Sequence, residues 1–134
     1  MVPFAMIETV QALDNLDAIL STEGMRAVYV GPADLALSLG CAPNVDPTDR
    51  IVVEAIDYIV RRARDKNIIA GIHTGSAEGS KTMIGKGYQL VTLSSDRVML
   101  ETTVRKMLGD LRATLEHNKR AVPPHAEQTP AGSY

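Results

Sequence analysis

The sequence has a single cysteine, and neither sign of charge dominates it. Because Cys41 has no second cysteine to pair with, an internal disulfide is excluded and a reducing, cytoplasmic compartment is expected. The formal net charge is -2, from 14 basic and 16 acidic residues. The basic residues are dispersed apart from Arg61, Arg62 and Arg64, which are expected to form the solvated face of a helix. This balance offers no basic surface for nucleic acid or for an anionic membrane.

Long apolar runs are also absent. None approaches the roughly 18 residues that a membrane-spanning helix requires. The first five residues, M-V-P-F-A, lack the basic flank and long apolar region of a signal peptide. With 134 residues, of which 45% are hydrophobic, the chain has the length and composition of one ordinary globular domain. We therefore expect a soluble cytoplasmic protein without a nucleic-acid or membrane partner.

Short apolar runs alternate with stretches of helical periodicity. The predicted strands span residues 4–7, 27–30, 68–72 and 88–93. The predicted helices span residues 10–20, 76–86 and 96–117, with a short helical turn at residues 35–39. A longer helix is predicted to begin at Asp46-Pro47, with Asp46 as its N-cap and Pro47 at its first helical position.

This β-α-β-α-β-α-β-α order predicts a parallel sheet with right-handed crossovers, an α/β fold. Four units in 134 residues give about 33 residues per unit, close to the repeat of a (β/α)8 barrel of about 250 residues. No Gly-x-Gly-x-x-Gly or Walker motif follows a strand, so a nucleotide-binding doubly wound sheet has little support. We expect residues 1–118 to form about four C-terminal βα units of a TIM barrel, and residues 119–134 an extended tail.

Two of the predicted strands are followed by a carboxylate, Glu8 in A-M-I-E-T and Asp34 in V-G-P-A-D-L. The C-terminal ends of parallel strands meet at one edge of the sheet, with neighbouring strands about 4.8 Å apart. Two carboxylates this close repel unless one is protonated or a cation lies between them, and Mg²⁺ or Mn²⁺ prefers such oxygen ligands. The spacing also fits a structural role, in which Glu8 caps the following helix and Asp34 caps a turn.

The turn Gly31-Pro32-Ala33 immediately precedes Asp34. A glycine followed by a proline makes a tight, rigid turn with exposed backbone N–H groups. Such groups can bind a carboxylate or a developing oxyanion beside a metal ion. A plain turn at the end of a strand explains the same three residues, so the pattern leaves both interpretations open.

The stretch from A-M-I-E-T through L-D-N-L-D-A-I-L, E-G and V-G-P-A-D-L to S-L-G resembles the metal-dependent HpcH/HpaI aldolase family. The later segments A-G-I-H-T and L-V-T-L-S-S-D resemble the last two barrel strands of that family. The resemblance covers residues 4 to about 115. It implies a (β/α)8 barrel whose last helix is exchanged between subunits.

The resemblance implies class II chemistry, in which a divalent metal (Mg²⁺, Mn²⁺ or Co²⁺) binds a 2-oxo acid and stabilises a pyruvate enolate. The enzyme would form or cleave C–C bonds of 4-hydroxy-2-oxo acids, with a 2-oxo acid and an aldehyde as its small-molecule partners. Glu8 and Asp34 take the place of the metal ligands. Gly31, Pro32 and Ala33 take the place of the backbone near the pyruvate carboxylate.

Three features depart from the family pattern. Met6 stands where many members have a glutamine that contacts substrate. His73 stands where an apolar residue is expected at the pocket edge, and it either binds the distal end of the acceptor or serves as a surface or supporting residue. The basic histidine and the pyruvate-binding arginine of the family come from the first half of the barrel, and no residue of this sequence matches them.

The sequence therefore leaves both the assembly and the activity open. The assembly is expected to be a homo-oligomer, or an association with a polypeptide that supplies the N-terminal half of the barrel. A related activity is a citryl- or malyl-thioester lyase or an oxaloacetate decarboxylase, since all pass through the same enolate. A different class of outcome is an inactive fragment that serves only as an assembly module.

Overall fold

The structure, a computed structural model, describes residues 2–121 and the side chains of residues 2–117. Ten elements follow one another along the chain. They are β1 (Phe4–Ile7), α1 (Val10–Asp14), α2 (Leu16–Leu20), β2 (Ala27–Val30), α3 (Pro32–Ser38), α4 (Arg50–Asp65), β3 (Ile69–Thr74), α5 (Ala77–Lys86), β4 (Leu90–Leu93) and α6 (Asp96–Ala121). The chain divides after Ser95 into two units.

The first unit is built on a four-stranded sheet in the order β1-β2-β3-β4, and every neighbouring pair is parallel. The predicted parallel α/β fold is thus confirmed. The strands lie side by side in the order in which they occur in the sequence. A doubly wound sheet reverses its strand order at a switch point, whereas a (β/α)8 barrel does not. The topology is therefore that of consecutive barrel units.

The two faces of the sheet differ in burial. Ile7, Val30 and Ile72 lie in register across three strands, and each is 0% exposed in the core beneath the helices. The opposite face carries apolar side chains that are between 40% and 48% exposed, namely Phe4, Met6, Ile69 and Leu90. Side chains alternate between the two faces along a strand, so every second residue points away from the core.

This difference between the faces predicts unequal effects of two isoleucine substitutions in β3. Ile72→Ala is expected to lower the free energy of unfolding by about 2–5 kcal/mol, because it leaves a cavity in the core. Ile69→Ala, on the opposite face, is expected to cost less than about 1 kcal/mol. Urea denaturation of the two variants measures both values. Equal losses would contradict the assignment of the faces.

The helix α4 supplies most of the helical side of the core. Its buried residues recur with helical spacing, namely Val52, Ala55, Ile56, Ile59, Val60 and Ala63. The hydroxyl of the buried Tyr88 donates to the carbonyl of Ile56 at 2.9 Å, and burial raises the pKa of Tyr88. On the outer surface, Asp17 of α2 accepts from Nε and Nη2 of Arg62 at 2.9 and 2.7 Å. These contacts fix α4 against its neighbours.

Some predicted boundaries differ from the structure. The helix predicted over residues 10–20 is broken at Asn15 into α1 and α2. The prediction that Asp46 caps the long helix was wrong, because α4 begins at Arg50 with Asp49 at its N-cap. Asp46 instead accepts a hydrogen bond from the backbone N–H of Gly75, at 3.0 Å.

The second unit consists, in its described part, of the helix α6. It extends to Ala121, so the first three residues of the predicted tail are helical, and the rest of the tail lies outside the described residues. Every described side chain of α6 is exposed, including the large apolar side chains of Val104, Met107, Leu108, Leu111 and Leu115. Among residues 2–121, no helix is both long enough and apolar enough to cross a membrane.

Candidate functional site

Glu8 and Asp34 meet beside Gly31, at the carboxyl ends of β1 and β2. A Cβ atom built on Gly31 would lie 2.8 Å from Oε2 of Glu8 and 3.6 Å from Oδ2 of Asp34. The two oxygens are therefore separated by no more than the sum of these distances. The parallel register explains this, because Ile7 pairs with Val30 and the next residues along the two strands are Glu8 and Gly31.

The local sequence holds Asp34 in this position. Gly31 is the N-cap residue of α3, and Pro32 is its first helical residue and is buried. The N–H of Leu35 donates to the carbonyl of Gly31 at 2.9 Å, which closes the first turn and leaves Asp34 on it. Proline suits this position because it has no N–H that would need a partner.

The alternative roles for the two carboxylates, as caps, are not what the structure shows. Thr9 is the N-cap of α1, and its hydroxyl accepts from the N–H of Ala12 at 3.1 Å. The carboxylates of Glu8 and Asp34 make no hydrogen bond or ion pair with another described residue. Two half-exposed or exposed carboxylates without protein partners, held side by side, are more consistent with a ligand site than with a structural one.

The two carboxylates lie in a cleft of about 270 Å³. Its lining contains all six residues predicted from the sequence as metal or substrate ligands, together with three further side chains. The lining residues are Met6, Glu8, Tyr29, Gly31, Pro32, Ala33, Asp34, Val45 and His73. The structure therefore brings the predicted residues together at one edge of the sheet.

His73 belongs to a hydrogen-bonded network that the sequence analysis missed. Its Nδ1 lies 2.9 Å from Oγ1 of Thr92, and the same Oγ1 is hydrogen bonded to the hydroxyl of Tyr29. Tyr29 reaches across β3 to β4 because Gly71 has no side chain between them. A Cβ atom on Gly71 would lie 2.7 Å from Cδ2 of the Tyr29 ring.

A signal for this network was present in the sequence. Side chains two residues apart in a strand share a face. Glu8 lies two residues after Met6, and Gly31 lies two residues after Tyr29. His73 lies two residues after Gly71, and Thr92 lies two residues after Leu90. All of them are therefore expected on the face of the sheet opposite the core. The sequence does not by itself give the register between β3 and β4, on which the pairing of His73 with Thr92 depends.

The segment that contains Val45 and Asp46 lies outside the sheet and borders the cleft. The hydrogen bond from the N–H of Gly75 to Asp46 joins the segment between α3 and α4 to the residues that follow β3. Val45, adjacent to Asp46, lines the cleft. From the sequence, Asp46 was predicted only to cap a helix, and this segment had no predicted part in the site.

The donor set at Glu8 and Asp34 could hold one hard divalent cation. Among the side chains of residues 2–117, no group of three or more His, Cys, Asp or Glu residues is arranged to hold a metal ion. Two carboxylate ligands leave several coordination positions of a six-coordinate ion for water or a ligand, as is usual for Mg²⁺. The space beside Gly31 is open because glycine has no side chain, and a Cβ atom there would contact Glu8.

Comparisons with known proteins agree with this architecture. The family model described as HpcH/HpaI aldolase/citrate lyase matches residues 2–102. Over 112 residues the chain is 42% identical to a hydroxypyruvate/pyruvate aldolase of Rhizorhabdus wittichii, covering 84% of this chain and 45% of the relative. It is 34% identical over 101 residues to a 5-keto-4-deoxy-D-glucarate aldolase of Shigella dysenteriae, covering 75% of this chain and 39% of the relative.

Solved structures show the same fold. An HpcH/HpaI aldolase/citrate lyase family protein from Burkholderia cenocepacia aligns with a TM-score of 0.78 and 27% identity, over 84% of this chain and 43% of that one. An HpcH/HpaI aldolase from Desulfitobacterium hafniense aligns with a TM-score of 0.76 and 28% identity, over 83% and 42%. The chain spans less than half the length of the curated relatives and solved structures named here.

The parallel sheet agrees with these matches, and the family model spans the whole of the described first unit. The predicted resemblance and the partial (β/α)8-type barrel are confirmed. This chain belongs to the HpcH/HpaI aldolase/citrate lyase family.

Proposed function

We propose that this chain provides the metal-binding part of a class II aldolase that forms or cleaves C–C bonds of 4-hydroxy-2-oxo acids. The observation that carries the proposal is the convergence of Glu8 and Asp34, without protein partners, on the open space beside Gly31. Both curated relatives named above are aldolases, which supports this reaction class. The single cysteine suits a cytoplasmic enzyme.

Glu8 and Asp34 are proposed to hold Mg²⁺, Mn²⁺ or Co²⁺. When bound, the ion would act as a Lewis acid toward the keto and carboxylate oxygens of the substrate. Its charge would also remove the repulsion between the two carboxylates. Gly31, Pro32 and Ala33 are proposed to form the surface against which the 2-oxo acid lies. Met6 and Tyr29 also line the cleft and are proposed to contact the ligand.

The described lining of the cleft contains no arginine or lysine to orient the substrate carboxylate. We propose that this role, and that of the principal base, belong to residues outside this chain. The exposed apolar face of the sheet, with Phe4, Met6, Ile69 and Leu90, supports an association that covers it. We propose a homo-oligomer or a complex with a polypeptide that supplies the remaining strands.

A metal-dependent decarboxylation tests the role of the metal ion separately from the roles of the base and of the group that orients the substrate. Loss of CO₂ from oxaloacetate requires a stabilised enolate but no initial proton abstraction. With Mg²⁺, the 134-residue chain is expected to accelerate this reaction above the rate given by free Mg²⁺, and EDTA is expected to abolish the acceleration. Cleavage of a 4-hydroxy-2-oxo acid should stay at background, because proton transfer and orientation contribute further large factors.

Coupled detection of pyruvate measures both reactions. Aldol cleavage at about 1 s⁻¹ or faster, a rate typical of enzymes, would show that the chain contains its own base. Oxaloacetate loss at the free-metal rate would contradict the proposed metal site and favour an assembly module. Turnover of a citryl or malyl thioester in place of both would favour the related lyase activity.

A further inference from the structure

Among the strands that line the cleft, β3, which carries His73, lies furthest along the sheet from Glu8. His73 stands one strand beyond Gly31, so their backbones are about 5 Å apart. A ligand whose 2-oxo acid end lies at Glu8 and Asp34 therefore brings atoms a few bonds further along its chain to His73. The walls between these two ends are largely apolar, formed by Met6, Tyr29 and Val45 among others.

The network fixes which ring nitrogen of His73 remains available. Nδ1 is engaged with Oγ1 of Thr92, at 2.9 Å, and Thr92 is held in turn by the hydroxyl of Tyr29. Nε2 has no hydrogen-bond partner among the described residues. Either order of donors along the network leaves Nε2 as the unsatisfied nitrogen, because a hydroxyl both donates and accepts.

We propose that His73, positioned by Thr92 and Tyr29, selects an aldehyde partner that carries a hydroxyl group near its reactive carbon. This inference rests on the proposed function, since it assigns the second substrate of the same cleft. A hydroxyl group pairs with Nε2 whether that nitrogen donates or accepts. A second carboxylate is less suitable, because the described lining has no lysine or arginine to balance its charge.

Substituted oxamates test the assignment, because they carry the 2-oxo acid group and are not cleaved. Calorimetry of the Mg²⁺-loaded chain would compare N-(2-hydroxyethyl)oxamate with N-propyloxamate, which has the same shape without the hydroxyl group. We expect the hydroxyl compound to bind roughly threefold to tenfold more tightly, the effect of one hydrogen bond. His73→Leu should abolish this preference and leave binding of N-propyloxamate within about twofold of the unmodified chain.

Positioning by Thr92 has its own spectroscopic test. The ¹⁵N shifts of the His73 imidazole report which nitrogen carries the proton, and Thr92→Val is expected to change them. Thr92→Ser, which restores the hydroxyl group, should return both the shifts and the preference for the hydroxyl compound. Unchanged shifts in Thr92→Val would show that Thr92 does not position the ring.

The remaining outcomes are distinguishable. A preference that persists in His73→Leu would overturn the role of His73 and leave the proposed function intact. Tighter binding of N-oxalylglycine, whose second end is a carboxylate, would overturn the assignment of a hydroxyl-bearing partner. If none of the three oxamates binds in the presence of Mg²⁺, the proposed function itself fails, and this inference fails with it.

Discussion

Asp34→Asn is expected to lower the Mg²⁺-dependent decarboxylation of oxaloacetate by at least about 100-fold, measured above the free-metal rate. The substitution keeps the shape of the side chain and removes its charge, so one of the two anionic ligands becomes a weak neutral one. Stabilisation by a bound metal contributes several kcal/mol, and each 1.36 kcal/mol is about tenfold in rate.

A matched control separates loss of the site from a general loss of charge. Glu54→Gln removes a carboxylate from the exposed side of α4, where it pairs with Arg50, and should leave the rate unchanged. The metal-free Asp34→Asn variant should also be as stable as the unmodified chain, or more so, because the repulsion between Glu8 and Asp34 is relieved. A large loss of stability in this variant would indicate a structural role for Asp34.

Gly31→Ala is expected to weaken Mg²⁺ affinity by roughly tenfold to hundredfold, the range seen when the groups that orient a metal ligand are altered. The added methyl group would lie 2.8 Å from Oε2 of Glu8, so the carboxylate has to move. The backbone itself tolerates alanine, since the φ angle of Gly31 is -97°. The effect should therefore appear in metal binding and not in the secondary structure.

Gly85→Ala is the control for this substitution. A Cβ atom at Gly85, in α5, meets no atom within 4 Å. The metal affinity of Gly85→Ala should equal that of the unmodified chain. Its stability should not fall, because alanine has a higher helix propensity than glycine. Unchanged metal affinity in Gly31→Ala would show that the position of the Glu8 carboxylate beside Gly31 has no part in binding the ion.

The fold and the two carboxylates were predictable because both follow from short-range patterns. Alternation of apolar strands and helices predicts a parallel sheet, and the ends of parallel strands meet at one edge. Glu8 and Asp34 each follow such a strand directly or after a short turn, so the predicted sheet was enough to bring them together. The family motif around V-G-P-A-D-L pointed to the same residues.

The remaining parts of the cleft depend on contacts between distant residues. Tyr29 and Thr92 are 63 residues apart, and their hydrogen bond exists because Gly71 leaves the path across β3 open. Asp46 precedes a proline, which is the local pattern of a helix N-cap, yet its carboxylate binds the backbone of Gly75 instead. In both cases a tertiary contact decided the outcome, and local patterns, which indicate at most which side chains share a face, do not give the pairing.

The measurement that tests the central claim most directly is a calorimetric titration of the chain with Mn²⁺. The unmodified chain and Glu54→Gln are expected to bind one ion each, with the same affinity. Glu8→Gln and Asp34→Asn should each lose most of that affinity, because both carboxylates are required to hold the ion. Equal Mn²⁺ binding by all four proteins would contradict the assignment of Glu8 and Asp34 as metal ligands.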